Sequence, residues 1–255
     1  MTKRQMKENL SKRQQIRAQR IKKQRQQRLM VIMGISIVAL VLAGAIIIPP
    51  LMRQNAPVGT IVTITPVLRP QVQANAMGDP NAPVKIEEFS DYQCSFCKRF
   101  ADTTEPRIVE DYVKTGKVYF VYRSMGNFVS DNIRQGKTES RDSAEASYCA
   151  GDQNKFWEYK DMLYANWQGE DVGSFSENRL IAFAEAIDLD LDEFRSCMDS
   201  NKFRDQVEQD KIDGQRAGIT GTPSFVINGN LAIRGAEDYS VFQREIDAAL
   251  AAATQ

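Results

Sequence analysis

The chain has no histidine in its 255 residues. A closed tetrahedral zinc site would therefore need all four cysteines, or carboxylates, because the usual nitrogen ligand is missing. The same absence removes imidazolium as a source of thiolate stabilisation anywhere in the molecule. Charge is missing altogether between Arg28 and Arg53, and Leu29 to Ile48 is almost wholly apolar. That run spans about 30 Å as a helix, the hydrocarbon thickness of a bilayer, and it shows no polar face. Residues 1–28 lack aromatic side chains, so nothing there can stack on bases, which argues against nucleic-acid binding. Cysteine is scarce too: none of the four lies near the apolar run, which leaves no thiol there for a lipid anchor.

The net charge of zero conceals an asymmetry, since residues 1–28 carry eleven Lys/Arg and a single acid, Glu8. Basic flanks stay on the cytoplasmic side, so the sequence predicts a cytoplasmic segment at 1–28 and a transmembrane anchor at 29–51. The basic segment would rest against the anionic lipid of the inner leaflet. A cleaved signal peptide would show a shorter apolar core and a small-x-small site. Pro49-Pro50-Leu51-Met52-Arg53-Gln54 follows instead, which favours an uncleaved anchor with everything after about Met52 exported. Residues 52–77 read as a linker, with Pro66 and Pro70 limiting any strand at Val58–Ile64. The remaining residues, 78–255, suffice for one substantial core.

What is present is Cys94-Ser95-Phe96-Cys97, set between an apolar-rich strand at 84–90 and the start of a helix. Two thiols at that spacing can close a small disulfide ring, and the first sits where unpaired helix N–H groups favour a thiolate. This is redox chemistry. Zinc is the rival for any such pair, but Cys149 and Cys197 are lone cysteines rather than a second pair. Beyond the motif, a strand is expected at 117–123, then a helical stretch over 139–216, where Asp190 and Glu193 form a capping-box pattern. A hairpin turning at Asn228-Gly229-Asn230 and an Ala-rich helix from Tyr239 close the chain. This order gives an α/β class with helices interrupting one sheet, its first two strands parallel neighbours.

Four stretches carry a family resemblance. They are Gly78-Asp79-Pro80-Asn81-Ala82-Pro83-Val84, Glu88 to Cys97, Tyr148-Cys149-Ala150-Gly151 with Lys155-Phe156-Trp157, and Gly218 to Gly229 including Gly221-Thr222-Pro223. The chain resembles the DsbA-like thiol–disulfide oxidoreductases, a thioredoxin-like fold with an inserted helical domain, here about 137–216, preceded by a single transmembrane helix. The resemblance implies that Cys94 attacks and that the buried Cys97 resolves the mixed disulfide. It implies a cis peptide at Thr222-Pro223, beside the disulfide, where an extended substrate pairs. It places a buried acid at Glu88 as a proton relay to the inner thiol, with Glu87 pointing to the opposite face. It also implies exported protein substrates with cysteines, a membrane quinone-linked partner that restores the disulfide, and no cofactor.

In an exported protein an even cysteine count suggests pairing, and with Cys94–Cys97 assigned to function the remaining pair is Cys149–Cys197. The alternative is two buried free thiols. Direction is less readable. Ser95-Phe96 departs from the strongest oxidants, which carry histidine in this dipeptide, so Cys94 is expected to be less acidic than theirs. An oxidase leads. A reductase or isomerase in the same compartment, or a non-enzymatic binding module, are the alternatives.

Overall fold

A computed structural model describes residues 20, 25, 27–44, 58–130 and 137–253. It separates into two units, residues 1–55 and 56–255. In the first, helix α1 (Gln27–Gly44) has a mean hydropathy of 2.0 and is long and apolar enough to cross a membrane. Its large apolar side chains from Leu29 to Leu42 are 57–72% exposed. Most of the basic segment and residues 45–57, with the end of the expected anchor and the start of the linker, lie outside the described residues.

The second unit is built on a five-stranded sheet in the order β1-β3-β2-β4-β5. Strands β2 (Val84–Ser90) and β3 (Val118–Ser124) run parallel, from Val84 opposite Val118 to Ser90 opposite Ser124. The edge strand β1 (Ala76–Met77) is antiparallel to β3, and β4 (Ser224–Ile227) is antiparallel to β2 and forms a hairpin with β5 (Asn230–Arg234). Alternation along β2 divides its side chains. Val84, Ile86 and Glu88 face the main core, while Phe89 joins Met125, Ile219 and Val226 in a second cluster. Gly78 leaves β1 at φ +94°, where a Cβ would lie 2.5 Å from the Val118 carbonyl oxygen, so the approach admits only glycine.

Between β2 and β3 the chain forms α2 (Ser95–Thr103), α3 (Glu105–Ile108) and a π-helical turn at Val109–Val113. The sequence predicts one helix here. It breaks at Thr104 because Pro106 has no N–H to donate one turn back. Phe100 of α2, Phe225 of β4 and Phe242 of α9 (Tyr239–Ala253) pack with ring centroids 4.5–5.3 Å apart, which fixes α2 to the sheet. Each such buried ring contributes about 1.5–3 kcal/mol.

The insertion comprises α4 (Glu139–Asp152), α5 (Phe156–Ala165), α6 (Glu177–Ala186), α7 (Leu191–Asp199) and α8 (Arg204–Arg216). Asp190 caps α7, its carboxylate accepting from the N–H groups of Asp192 and Glu193. Helix α8 docks on the sheet through Arg123, which bonds Glu87 at 2.9 Å, Asp210 at 2.5 Å and Asp213 at 2.6 Å.

The linker read at 52–77 is part of the folded unit from Val58 onward. Val62 exchanges two hydrogen bonds with the Asn166 side chain at 2.8 and 2.9 Å, and Arg179 donates to the Val58 carbonyl at 2.6 Å. Trp157 donates to the Ala76 carbonyl at 3.2 Å. Side chains of the insertion bond this proline-interrupted backbone ahead of β1, which alone joins the sheet.

Candidate active site

The site is assembled where β2 ends. Asp91 is buried, and its carboxylate accepts from the N–H groups of Gln93 at 2.8 Å and Val129 at 2.9 Å. The Cys94 N–H donates to the Asp91 carbonyl at 3.0 Å, a turn that delivers Cys94 to the N-cap of α2. Cys97, one turn in, is fully buried. Both cysteines are free thiols. Phe96 stands between them, 54% exposed, its ring under the Arg99 guanidinium at 5.0 Å.

The Thr222–Pro223 peptide is cis. The Cys94 Sγ–H donates to the Thr222 carbonyl at 3.4 Å, so the structure brings Cys94, Cys97 and the Thr222-Pro223 loop together. Cys94 is less open than the sequence suggests, at 7% exposure, because this loop covers it.

The two thiols are shifted in opposite directions. The Cys97 thiol, donating to the Cys94 sulfur, pulls Cys94 down to about 6. Burial opposes that pull, while the Thr222 hydroxyl and the N–H groups of Cys97 and Phe96 assist it. Burial pushes Cys97 well above its ordinary value, and the adjoining Cys94 sulfur adds to the push. The first proton therefore leaves Cys94, while Cys97 holds its own. Cys94 and Cys97 titrate as a pair, not as independent groups.

Glu88 lies on the core face of β2, fully buried, and Glu87 points to the other face against Arg123. Burial raises Glu88 to about 7, with Lys160 acting against it. Asp91 is likewise raised to about 7 by burial. Cys149 and Cys197 are bonded to one another, with Cα atoms 5.9 Å apart, and join α4 to α7.

Sequence reading misses three charged groups behind the site: Lys160, Glu105 and Arg69. Lys160 had a detectable signal, since it shares the buried stripe of Phe156, Trp157, Leu163 and Tyr164 on α5. Arg69 sits in an irregular stretch, and Glu105 opens a helix of four residues, too short for periodicity to flag it.

A family model described as thioredoxin matches residues 71–248. The chain belongs to the thioredoxin family. Among curated relatives, "Probable disulfide bond formation protein D" of Bacillus cereus is 28% identical over 174 residues, covering 68% of this chain and 76% of that protein. The "Na(+)/H(+) antiporter NhaA 1" of Salinispora arenicola is 29% identical over 184 residues, which is 71% of this chain but 26% of that protein. The crystal structure of oxidised BdbD from Bacillus subtilis superposes with a TM-score of 0.61 at 24% identity, covering 76% of this chain and all of that one. Within the thioredoxin family the chain is DsbA-like, with a helical insertion in a thioredoxin-like fold. It is a thiol–disulfide oxidoreductase, and such an enzyme acts on cysteine-bearing proteins and needs a partner to reset its dithiol.

Proposed function

We propose that this protein is an anchored, extracytoplasmic oxidase that gives its Cys94–Cys97 disulfide to exported proteins. The observation that carries the reading is the placement of the two thiols: Cys94 stands at the N-cap of α2 under the Thr222 carbonyl, drawn down to about 6 by the Cys97 thiol, and Cys97 is fully buried behind it. A stabilised Cys94 thiolate favours the dithiol form, which makes the disulfide more oxidising. It also leaves readily from the mixed disulfide, so the substrate departs oxidised.

In this reading a substrate thiolate attacks Cys94 and the Cys94–Cys97 bond breaks. Cys97 leaves with the electron pair, and Glu88 supplies its proton. A second substrate thiolate then attacks the mixed disulfide and expels Cys94 as a thiolate. Thr222 and Pro223 present the backbone against which an extended substrate lies. Cys149–Cys197 stays closed throughout as a brace of the insertion. A quinone-linked membrane partner returns the electrons to the membrane and restores the disulfide. The compartment is supported by the basic flank before α1 and by the second disulfide, since disulfides persist outside the reducing cytoplasm.

The test mixes the oxidised full chain in detergent with a reduced, unfolded protein carrying two thiols. Net appearance of a substrate disulfide, lost in Cys94→Ser, is the expected result. Electron flow chiefly from the reduced chain into disulfide-bonded substrates would establish a reductase instead.

A further inference from the structure

Two loops converge on the turn that carries Cys94. The first is the Thr222–Pro223 loop, whose Thr222 carbonyl meets the Cys94 sulfur. The second belongs to the insertion, where it joins α5 to α6. It is held to Gln93, the residue before Cys94, at two points. The Trp167 indole N–H donates to the Gln93 backbone carbonyl at 2.9 Å, and the Asp171 N–H donates to the Gln93 side-chain oxygen at 2.8 Å.

Gln93 is fully buried, and burying an amide is costly unless its polar atoms are bonded. Here they are. Its side-chain nitrogen donates to Glu139 at 3.0 Å, and the Glu139 carboxylate accepts in turn from the N–H groups of Gly173 at 2.8 Å and Phe175 at 2.7 Å. Gln93 and Glu139 together therefore grip the loop at its start, its tip and its end. The loop needs this grip. Gly169, Asp171 and Gly173 all lie at positive φ, +138°, +52° and +88°, and no strand ladder runs through the segment to fix that shape.

The side chain presented by this grip is Val172, which stands between the Asp171 and Gly173 anchors and is 63% exposed. Among the described residues of the insertion it is the only large apolar side chain left exposed, and it sits on the one loop bonded to the residue before Cys94. We propose that Gln93 is a positioning residue for substrate choice, holding the α5–α6 loop beside the Cys94 turn so that Val172 contacts an apolar side chain next to the substrate's cysteine. The Thr222–Pro223 loop takes the substrate backbone, and the insertion reads the neighbouring side chain. The preferred substrate is an unfolded segment in which an apolar residue adjoins the cysteine.

The inference rests on Cys94 exchanging with protein thiols and needs no particular direction of electron flow. The test gives the oxidised full chain, in detergent, two cysteine peptides of equal length and charge, one with leucine and one with serine beside the cysteine. Thiol consumption is timed for each. The native chain should consume the leucine peptide faster by about tenfold, the scale of one apolar contact. In Gln93→Leu and in Val172→Asp that ratio should fall towards unity, whereas general damage to Cys94 would slow both peptides alike and keep it. Val172→Asp, at an exposed position, stays informative should Gln93→Leu fail to fold. Leu68→Asp, also exposed but on the leading segment, should keep the native ratio. Equal rates for the two peptides in the native chain, or a native ratio in Val172→Asp or in folded Gln93→Leu, would overturn the proposal. So would a fall in Leu68→Asp as large as that in Val172→Asp. A native chain that consumes neither peptide would show that Cys94 does not exchange with cysteine-bearing chains, and the proposal would fall together with that reading.

Discussion

At Cys94 the Cys97 thiol and nearby N–H groups outweigh burial, whereas at Cys97 burial wins. Alkylation of the reduced protein should therefore modify Cys94 alone, with a pH midpoint at about 6, and Thr222→Val should raise that midpoint by removing the hydroxyl. A midpoint near 9, the ordinary thiol value, would contradict this. Glu88 and Asp91 make a second prediction. Their folded pKa values, about 7, lie above ordinary values of 4.5 and 3.8, so the folded state holds protons the unfolded state has released. Their contribution is fully present below the ordinary values and is lost as pH rises towards 7. Denaturant midpoints of the oxidised protein should fall across that window, and Glu88→Gln should flatten part of the fall. The reduced protein adds the reverse trend from Cys94, a gain between about 6 and 9 that is lost on acidification.

Among the elements, α4 and α7 are tied by Cys149–Cys197 across 48 positions of sequence. Closing a loop of that length stabilises by roughly 4 kcal/mol in the chain-entropy model. Replacing both cysteines with alanine should lower stability by about 2–5 kcal/mol in chemical unfolding, while Cys94–Cys97 exchange continues. Loss of exchange in a folded variant would show that the second disulfide takes part in the chemistry.

Elements with a clear period are legible in the sequence. The alternation of β2 and the Asp190 cap stand as read, but the turn is Asn228-Gly229 alone, with Asn230 already in β5, and the Asp190 N–H goes to Gln153 rather than back to Glu193. Pro106 was visible but its consequence, the break at Thr104, depends on α3 finding its own packing. Residues 58–77 look like a tether because their partners, Asn166, Arg179 and Trp157, lie a hundred or so residues away and reach backbone atoms. The two sulfurs were legible from spacing. The charges behind them were not, because Glu88, Lys160 and Arg69 meet only when strand, insertion and leading segment pack together.

For the molecule as a whole, the proposed orientation puts the sheet and both sulfurs on the outer side of the membrane. A membrane-impermeant thiol reagent applied to intact, reduced cells should label Cys94; protection until the cells are lysed would reverse the assignment. Direction of electron flow is the central claim, and it is a property of the entire fold because burial, the Thr222 loop and α2 set it together. Equilibrating the Cys94–Cys97 couple against glutathione measures it directly. The account predicts a potential above about −200 mV, in the range of disulfide donors, and a value near −270 mV, that of a reductant, would contradict it.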